Sequence, residues 1–159
     1  MKKRGFTIIE VVTVVAIMAI MTTLVYSSFS NTRARSRDQQ RVSDISTLQL
    51  SLEVYFNKNG QYPPTLASLV PVYIASVPNP PTGAANYAYN YFPISTVSPS
   101  YAICTSYHLW TRFELSNQYL LSKKGFDSTS LTECSGGAVG TYINASSSAN
   151  ALVYDVTSQ

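Results

Sequence analysis

Residues 6–29, FTIIEVVTVVAIMAIMTTLVYSSF, decide how this chain folds. From Ile8 to Tyr26 the only charged side chain is Glu10. As a helix rising about 1.5 Å per residue, that stretch is roughly 30 Å long, the thickness of a bilayer's hydrocarbon core. A helix that is apolar all round belongs in lipid or inside a bundle. The basic run Lys2-Lys3-Arg4 stands before it. A secretory signal peptide needs a shorter apolar core and a small-residue cleavage site after it. The apolar stretch here is too long for that, and no such site follows.

Glu10 separates a plain membrane anchor from something more specialised. An acid at the centre of a span costs on the order of 2.5–3.5 kcal/mol, less near an end, and such a residue should have a partner. No Lys, Arg or His follows Glu10 before Arg33. Cleavage after Gly5 would create a cation, the α-amine of Phe6, four residues before the acid. Its unperturbed pKa of about 7.7–8.0 leaves it largely charged at neutral pH. The best geometry for the pair is between two copies of the chain.

The run K-K-R-G-F-T-I-I-E with its long aliphatic helix resembles the N-terminal processing motif of type IV pilins and type II secretion pseudopilins. The resemblance implies cleavage after Gly5 by a prepilin peptidase, methylation of the Phe6 amine, and Glu10 as the assembly carboxylate. It also implies export, and it makes Cys104 and Cys134 a candidate disulfide. The chain departs from many relatives at Ser27, where they carry a helix-breaking proline, and at Ala19, where they carry glycine. The first proline here is Pro63, so a straighter helix is expected.

Beyond the apolar run, residues 31–41 are too polar for lipid but contain no helix breaker. Val42, Ile45, Leu48, Leu52 and Tyr55 or Phe56 then recur at spacings of three and four, one apolar face of an amphipathic helix. Asn59-Gly60 is a stop signal. The expected stem therefore runs from about residue 6 to 58. Its four arginines, Arg33, Arg35, Arg37 and Arg41, read first as a solvated face, with phospholipid headgroups or a neighbouring subunit as alternatives. The segment from Asp44 through Pro64, with Ser76-Val-Pro-Asn-Pro-Pro81, resembles the stem-to-head junction of major pseudopilins and some pilins.

The remainder alternates short aromatic and small-residue runs. Thr65–Val70 reads as a short helical turn. Strands are expected at Tyr87–Phe92, Tyr101–Tyr107, Trp110–Leu115, Gln118–Ser122 and Ala151–Val156. The expected fold is α+β: leader 1–5, apolar transmembrane and assembly helix 6–29, amphipathic continuation 30–59, and a β-rich head 60–159 whose small antiparallel sheet packs on the second half of the stem.

Charge excludes some functions. The formal charge of +3 belongs to the leader, because residues 6–159 hold eight basic and eight acidic side chains. No folded basic face for nucleic acid is inferred. His108 is the only histidine, and no phosphate loop, serine elbow or Cys/His metal set is present. No enzyme and no cofactor are expected. Calcium has only weak candidates, Asp127, Glu133 and Asp155, whose spacing fits no set pattern.

The expected function is structural: a pilin in an extracellular type IV pilus-like filament serving adhesion, motility or DNA uptake. The alternatives are a pseudopilin of a type II secretion system and a monomeric membrane-anchored binding domain. The expected partners are further copies in a helical filament, prepilin peptidase, and the assembly platform and ATPase of a pilus or secretion machine. The chain would sit in the cytoplasmic membrane first and in a cell-surface filament afterwards.

Overall fold

Helix α1 spans Ile8–Asn59 without interruption, about 78 Å at 1.5 Å per residue. The computed structural model describes residues 5–81, 85–95, 103–116, 125–128, 134 and 143–158, without the side chains of 24–28, 30 and 85. Thr7 is extended before the helix and makes no side-chain cap. At the other end Gly60 takes the left-handed conformation, φ 71°, and its N–H returns to Phe56 O at 2.8 Å. Only glycine adopts that conformation without strain.

The two halves of α1 live in different surroundings. From Ile8 to Thr23 every side chain is exposed. Among the described residues no helix is long and apolar enough to cross a membrane; the expected span of 8–26 takes in positions whose side chains lie outside them. From Ala34 onward one stripe is buried: Ala34, Asp38, Arg41, Ile45, Leu48 and Leu52. The spacing alternates four and three, so one line of side chains faces the head.

The sheet is an antiparallel meander in the order β1 (Asn90–Ile94), β2 (Ser106–Arg112), β3 (Val153–Thr157). Phe92 lies opposite His108, and Trp110 opposite Asp155. Pro93 sits on the edge strand β1, where a missing N–H costs no ladder bond. One face of β2 supplies Tyr107 and Leu109 to a core with Ile45, Leu48, Leu52, Tyr62, Leu69 and Val156. The other face carries Trp110 against Ala145, Val153 and Ile143. Cys104 and Cys134 are joined as a disulfide, with Cα atoms 5.4 Å apart. The bridge closes a loop of sequence separation 30, worth about 3–4 kcal/mol if it acts by restricting the unfolded chain.

Several strand expectations need correction. Residues 85–87 form a 3-10 turn, and β1 starts only at Asn90. The tyrosines before it serve the stem instead: Tyr87 lies against the Arg41 guanidinium and Tyr89 donates to Asp44. In place of the two strands expected at 101–107 and 110–115 a single strand, β2, runs over Ser106–Arg112, buried on both faces and so without alternation; residues 101 and 102 lie outside the described residues. The segment 118–122 lies outside the described residues. The last strand is Val153–Thr157, and the turn expected at 65–70 is a 3-10 turn at Leu66–Leu69.

Packing of α1 on the sheet makes a direct prediction. Leu48→Ala should cost the full-length chain about 2–5 kcal/mol of stability. Leu50→Ala, at a position 67% exposed, should stay within about 0.5 kcal/mol. Urea unfolding followed by Trp110 fluorescence measures both, and equal losses would contradict this helix orientation.

Candidate functional site

At the start of α1, Phe6 is 84% exposed. Phe6, Glu10, Val11, Val14 and Val15 line a shallow apolar furrow. The other polar side chains nearby are turned inward. Thr13 Oγ1 donates to Glu10 O at 3.0 Å, Thr22 Oγ1 to Met18 O at 2.7 Å, and Thr23 Oγ1 to Ile20 O at 2.8 Å. A hydroxyl satisfied by its own helix can face lipid or another helix without an unmet donor. The described ion pairs use Asp38, Glu114 and Asp155; among the described residues Glu10 has no cation. Phe6 and Glu10 thus lie together on an apolar surface whose acid has no cation among the described residues, and Gly5 directly precedes Phe6.

A second constellation joins stem to head. Arg41 is fully buried. Its Nη1 donates to Asp38 Oδ1 at 2.6 Å and its Nη2 to Glu114 Oε1 at 2.9 Å. Its guanidinium carbon lies 4.4 Å from the centre of the Tyr87 ring. Arg37 grips the same Glu114 with two bonds, at 2.8 and 2.5 Å. Asp38 also accepts the backbone N–H groups of Glu114 and Leu115. The reading of four solvated arginines is therefore corrected: Arg37 and Arg41 are committed to the head, while Arg33 and Arg35 are exposed. Asp38 and Arg41 share the heptad-like spacing of Ile45, Leu48 and Leu52, and that register was the available signal.

Hydrogen bonds from Arg37, and then from Arg41, overcome burial and hold the Glu114 carboxyl down at about 2, against 4.5 ordinarily. The folded value lies below the unfolded one. The stabilisation is therefore complete above about 4.5 and is lost as pH falls toward about 2.

Behind the sheet, Ser128, His108 and Asp155 are fully buried in a row. His108 Nδ1 lies 3.1 Å from Ser128 Oγ, and Nε2 lies 3.3 Å from Asp155 Oδ2. The order resembles a hydrolase triad, but its groups are sealed from solvent and otherwise engaged. Ser128 Oγ donates to Ile143 O and accepts from Ile143 N. Asp155 accepts the N–H groups of Gly125 and Phe126 at 3.0 and 2.8 Å. Burial opposes ionisation of Asp155, yet His108 and those two donors outweigh it and keep its carboxyl below the usual range. The row pins residues 125–128 and 143 to the sheet.

The two described calcium candidates, Asp127 and Asp155, are each engaged by hydrogen-bond donors. Asp155 faces N–H donors that would repel a cation, Asp127 accepts from Asn144 Nδ2 at 2.6 Å, and Glu133 lies outside the described residues. Among the described residues no cluster suited to a metal ion is found.

A family model described as the prokaryotic N-terminal methylation motif matches residues 1–26. The type II secretion system core protein G of Escherichia coli K12 is 36% identical over 89 residues, 54% of this chain and 58% of that protein. That of Klebsiella pneumoniae is 30% identical over 86 residues, 54% and 60%, and that of Pectobacterium carotovorum 33% over 64, 40% and 41%. The chain spans about half the length of these curated relatives. No solved structure matches it.

The lock between stem and head has a pH signature. The stability of the full-length chain should fall as pH drops from about 4.5 to about 2. Glu114→Gln should be less stable at neutral pH and should lose less across that window. Arg41→Met should cost about 3–5 kcal/mol, because Asp38 stays buried without its cation. Denaturation midpoints against pH measure all three; parallel acid losses in wild type and Glu114→Gln would contradict the assignment.

Proposed function

We infer, for a chain that opens with the methylation motif of the type IV pilin and pseudopilin family, that it is a structural subunit of a pilin-like filament. The observation that carries this is the outward-facing apolar half of α1 with one acid and, among the described residues, no counter-charge. Such a surface is costly in water. Lipid covers it before assembly, and the same half-helices of other copies cover it afterwards. Removal of the leader after Gly5 supplies the Phe6 amine, methylated in this reading. Pairing that amine with Glu10 of a neighbour sets the axial register, since either charge alone in an apolar core is expensive. A repeated head-to-tail contact of this kind propagates as an open helix.

The outward face of the second half of α1 supports the same reading. Ser43, Ser46, Thr47, Leu50, Val54 and Asn57 are exposed and uncharged. Ser46 and Thr47 turn their hydroxyls onto Val42 O and Ser43 O. That face suits a neighbouring stem.

Two settings fit such a subunit: a surface pilus and the filament of a type II secretion system. The similarity to core protein G proteins favours the second. Prepilin peptidase, an assembly platform and an ATPase are the partners this reading requires.

Mass spectrometry of the subunit from assembled filaments should find methylated Phe6 as the first residue. Glu10→Ala should leave the amount of membrane-held subunit unchanged and reduce filaments at least tenfold. Intact Met1 in filaments, or normal assembly of the Glu10→Ala variant, contradicts the reading. Deletion of the chain separates the settings: loss of surface pili marks a pilin, and loss of exoprotein secretion marks a pseudopilin.

A further inference from the structure

Nearly every described acid of this chain has an internal partner. Asp38 and Glu114 belong to the lock, and Asp155 to the buried histidine pin. Asp44 accepts from Gln40 and Tyr89. Glu53 accepts from Tyr62 and Tyr107. Asp127 accepts from Asn144. Glu10 alone stands open among the described acids.

The cations divide differently. Arg37 and Arg41 are consumed by the head. Arg33 and Arg35 are exposed and form no described ion pair or hydrogen bond. Ala34 between them is buried on the head-facing stripe. At about 100° of turn per residue, Arg33 and Arg35 flank that stripe on opposite sides of the helix.

Length places them. If residues 8–26 fill a hydrocarbon core about 30 Å thick, Arg33 and Arg35 stand roughly 11 and 14 Å beyond its edge. That is just past the headgroup zone, which ends about 5–8 Å beyond the core, at a distance a long side chain bending back along its stem can close. A guanidinium fork matches phosphate oxygens with two parallel hydrogen bonds. A neighbouring copy is the poorer occupant, because its described acids outside the apolar stem are already engaged.

We propose that Arg33 and Arg35 bind the phosphate groups of membrane phospholipids, forming a two-sided collar that sets the depth of the subunit before it leaves the bilayer. This rests on the membrane-held stage of the proposed function. Each arginine near an anionic surface adds to the attraction, which weakens as salt screens it.

The test uses the full-length chain labelled with 13C at arginine Cζ, in vesicles of phosphatidylethanolamine and phosphatidylglycerol, in phosphate-free buffer. Solid-state 13C–31P dephasing reports arginines close to lipid phosphate. The wild type should dephase, and R33Q/R35Q should lose most of that signal, leaving only the Arg4 background. R112Q, in the head, should keep it. Absence of dephasing in the wild type, or equal dephasing in R33Q/R35Q, overturns the proposal. Contact of Arg33 and Arg35 with carboxylate carbon in place of phosphorus assigns them to another copy and also overturns it. Flotation of the same vesicles separates the failures. A chain that does not float removes the membrane-held stage together with this inference, whereas a chain that floats without phosphate contact removes the inference alone.

Discussion

Arg41 is the constraint on which the head's position depends. A guanidinium stays charged in a protein, so burying it requires carboxylates with nowhere better to go. Asp38 comes from the preceding turn of the same helix, while Glu114 comes from just past β2. Asp38 also takes the N–H groups of Glu114 and Leu115, so backbone as well as side chain is fixed to the stem. Tyr87 closes over the guanidinium on a third side. The apolar contacts of Ile45, Leu48 and Leu52 would tolerate a shift of the sheet along α1. The ionic cluster would not, because a shift of one turn strands a charge in the interior.

The same economy governs the rest of the charge. Sparse acids are drawn inward and given specific donors: tyrosine hydroxyls for Asp44 and Glu53, and backbone N–H groups for Asp155, which also lies beside the His108 imidazole. What remains outside on the helix is mostly uncharged, with Glu10, Arg33, Arg35 and Lys58 as exceptions. The head thus holds itself together with polar bonds, while α1 keeps an outward surface that polar bonds do not interrupt.

Much of this was legible in the sequence, and the failures share a cause. The stem's length followed from the apolar run, the heptad-like spacing and Asn59-Gly60, all of which are local signals. The α+β class followed from short aromatic runs after the turn. The strands were less legible because β2 is covered on both faces, so His108, Trp110 and Thr111 are as buried as Tyr107 and Leu109. The lock was hidden for a related reason. Arginine is normally read as a surface residue, and Glu114 lies 73 positions from Arg41. Only the register of Asp38 and Arg41 with Ile45 hinted that they face inward. Nothing local marks His108 as the partner of Ser128 and Asp155, because the sheet brings those positions together.

One rule connects the two halves of α1, although their surroundings differ. In the apolar half Thr13, Thr22 and Thr23 return their hydroxyls to helix carbonyls. In the head half Ser46 and Thr47 do the same on the outward face, beside Leu50 and Val54. A helix meant only to be wet on that side gains little from hiding its hydroxyls and has no reason to omit charge, since exposed Glu–Lys pairs add a few tenths of a kcal/mol each. A helix meant to be covered gains from both, because every polar group left unpaired at a dry contact costs about 1–3 kcal/mol. The outward faces at 8–23, uncharged apart from Glu10, and at 43–57 therefore suit enclosure, whereas the charged stretch around Arg33 and Arg35 between them does not. On that view Glu10 stands apart, as the one acid on the outward apolar half of the helix.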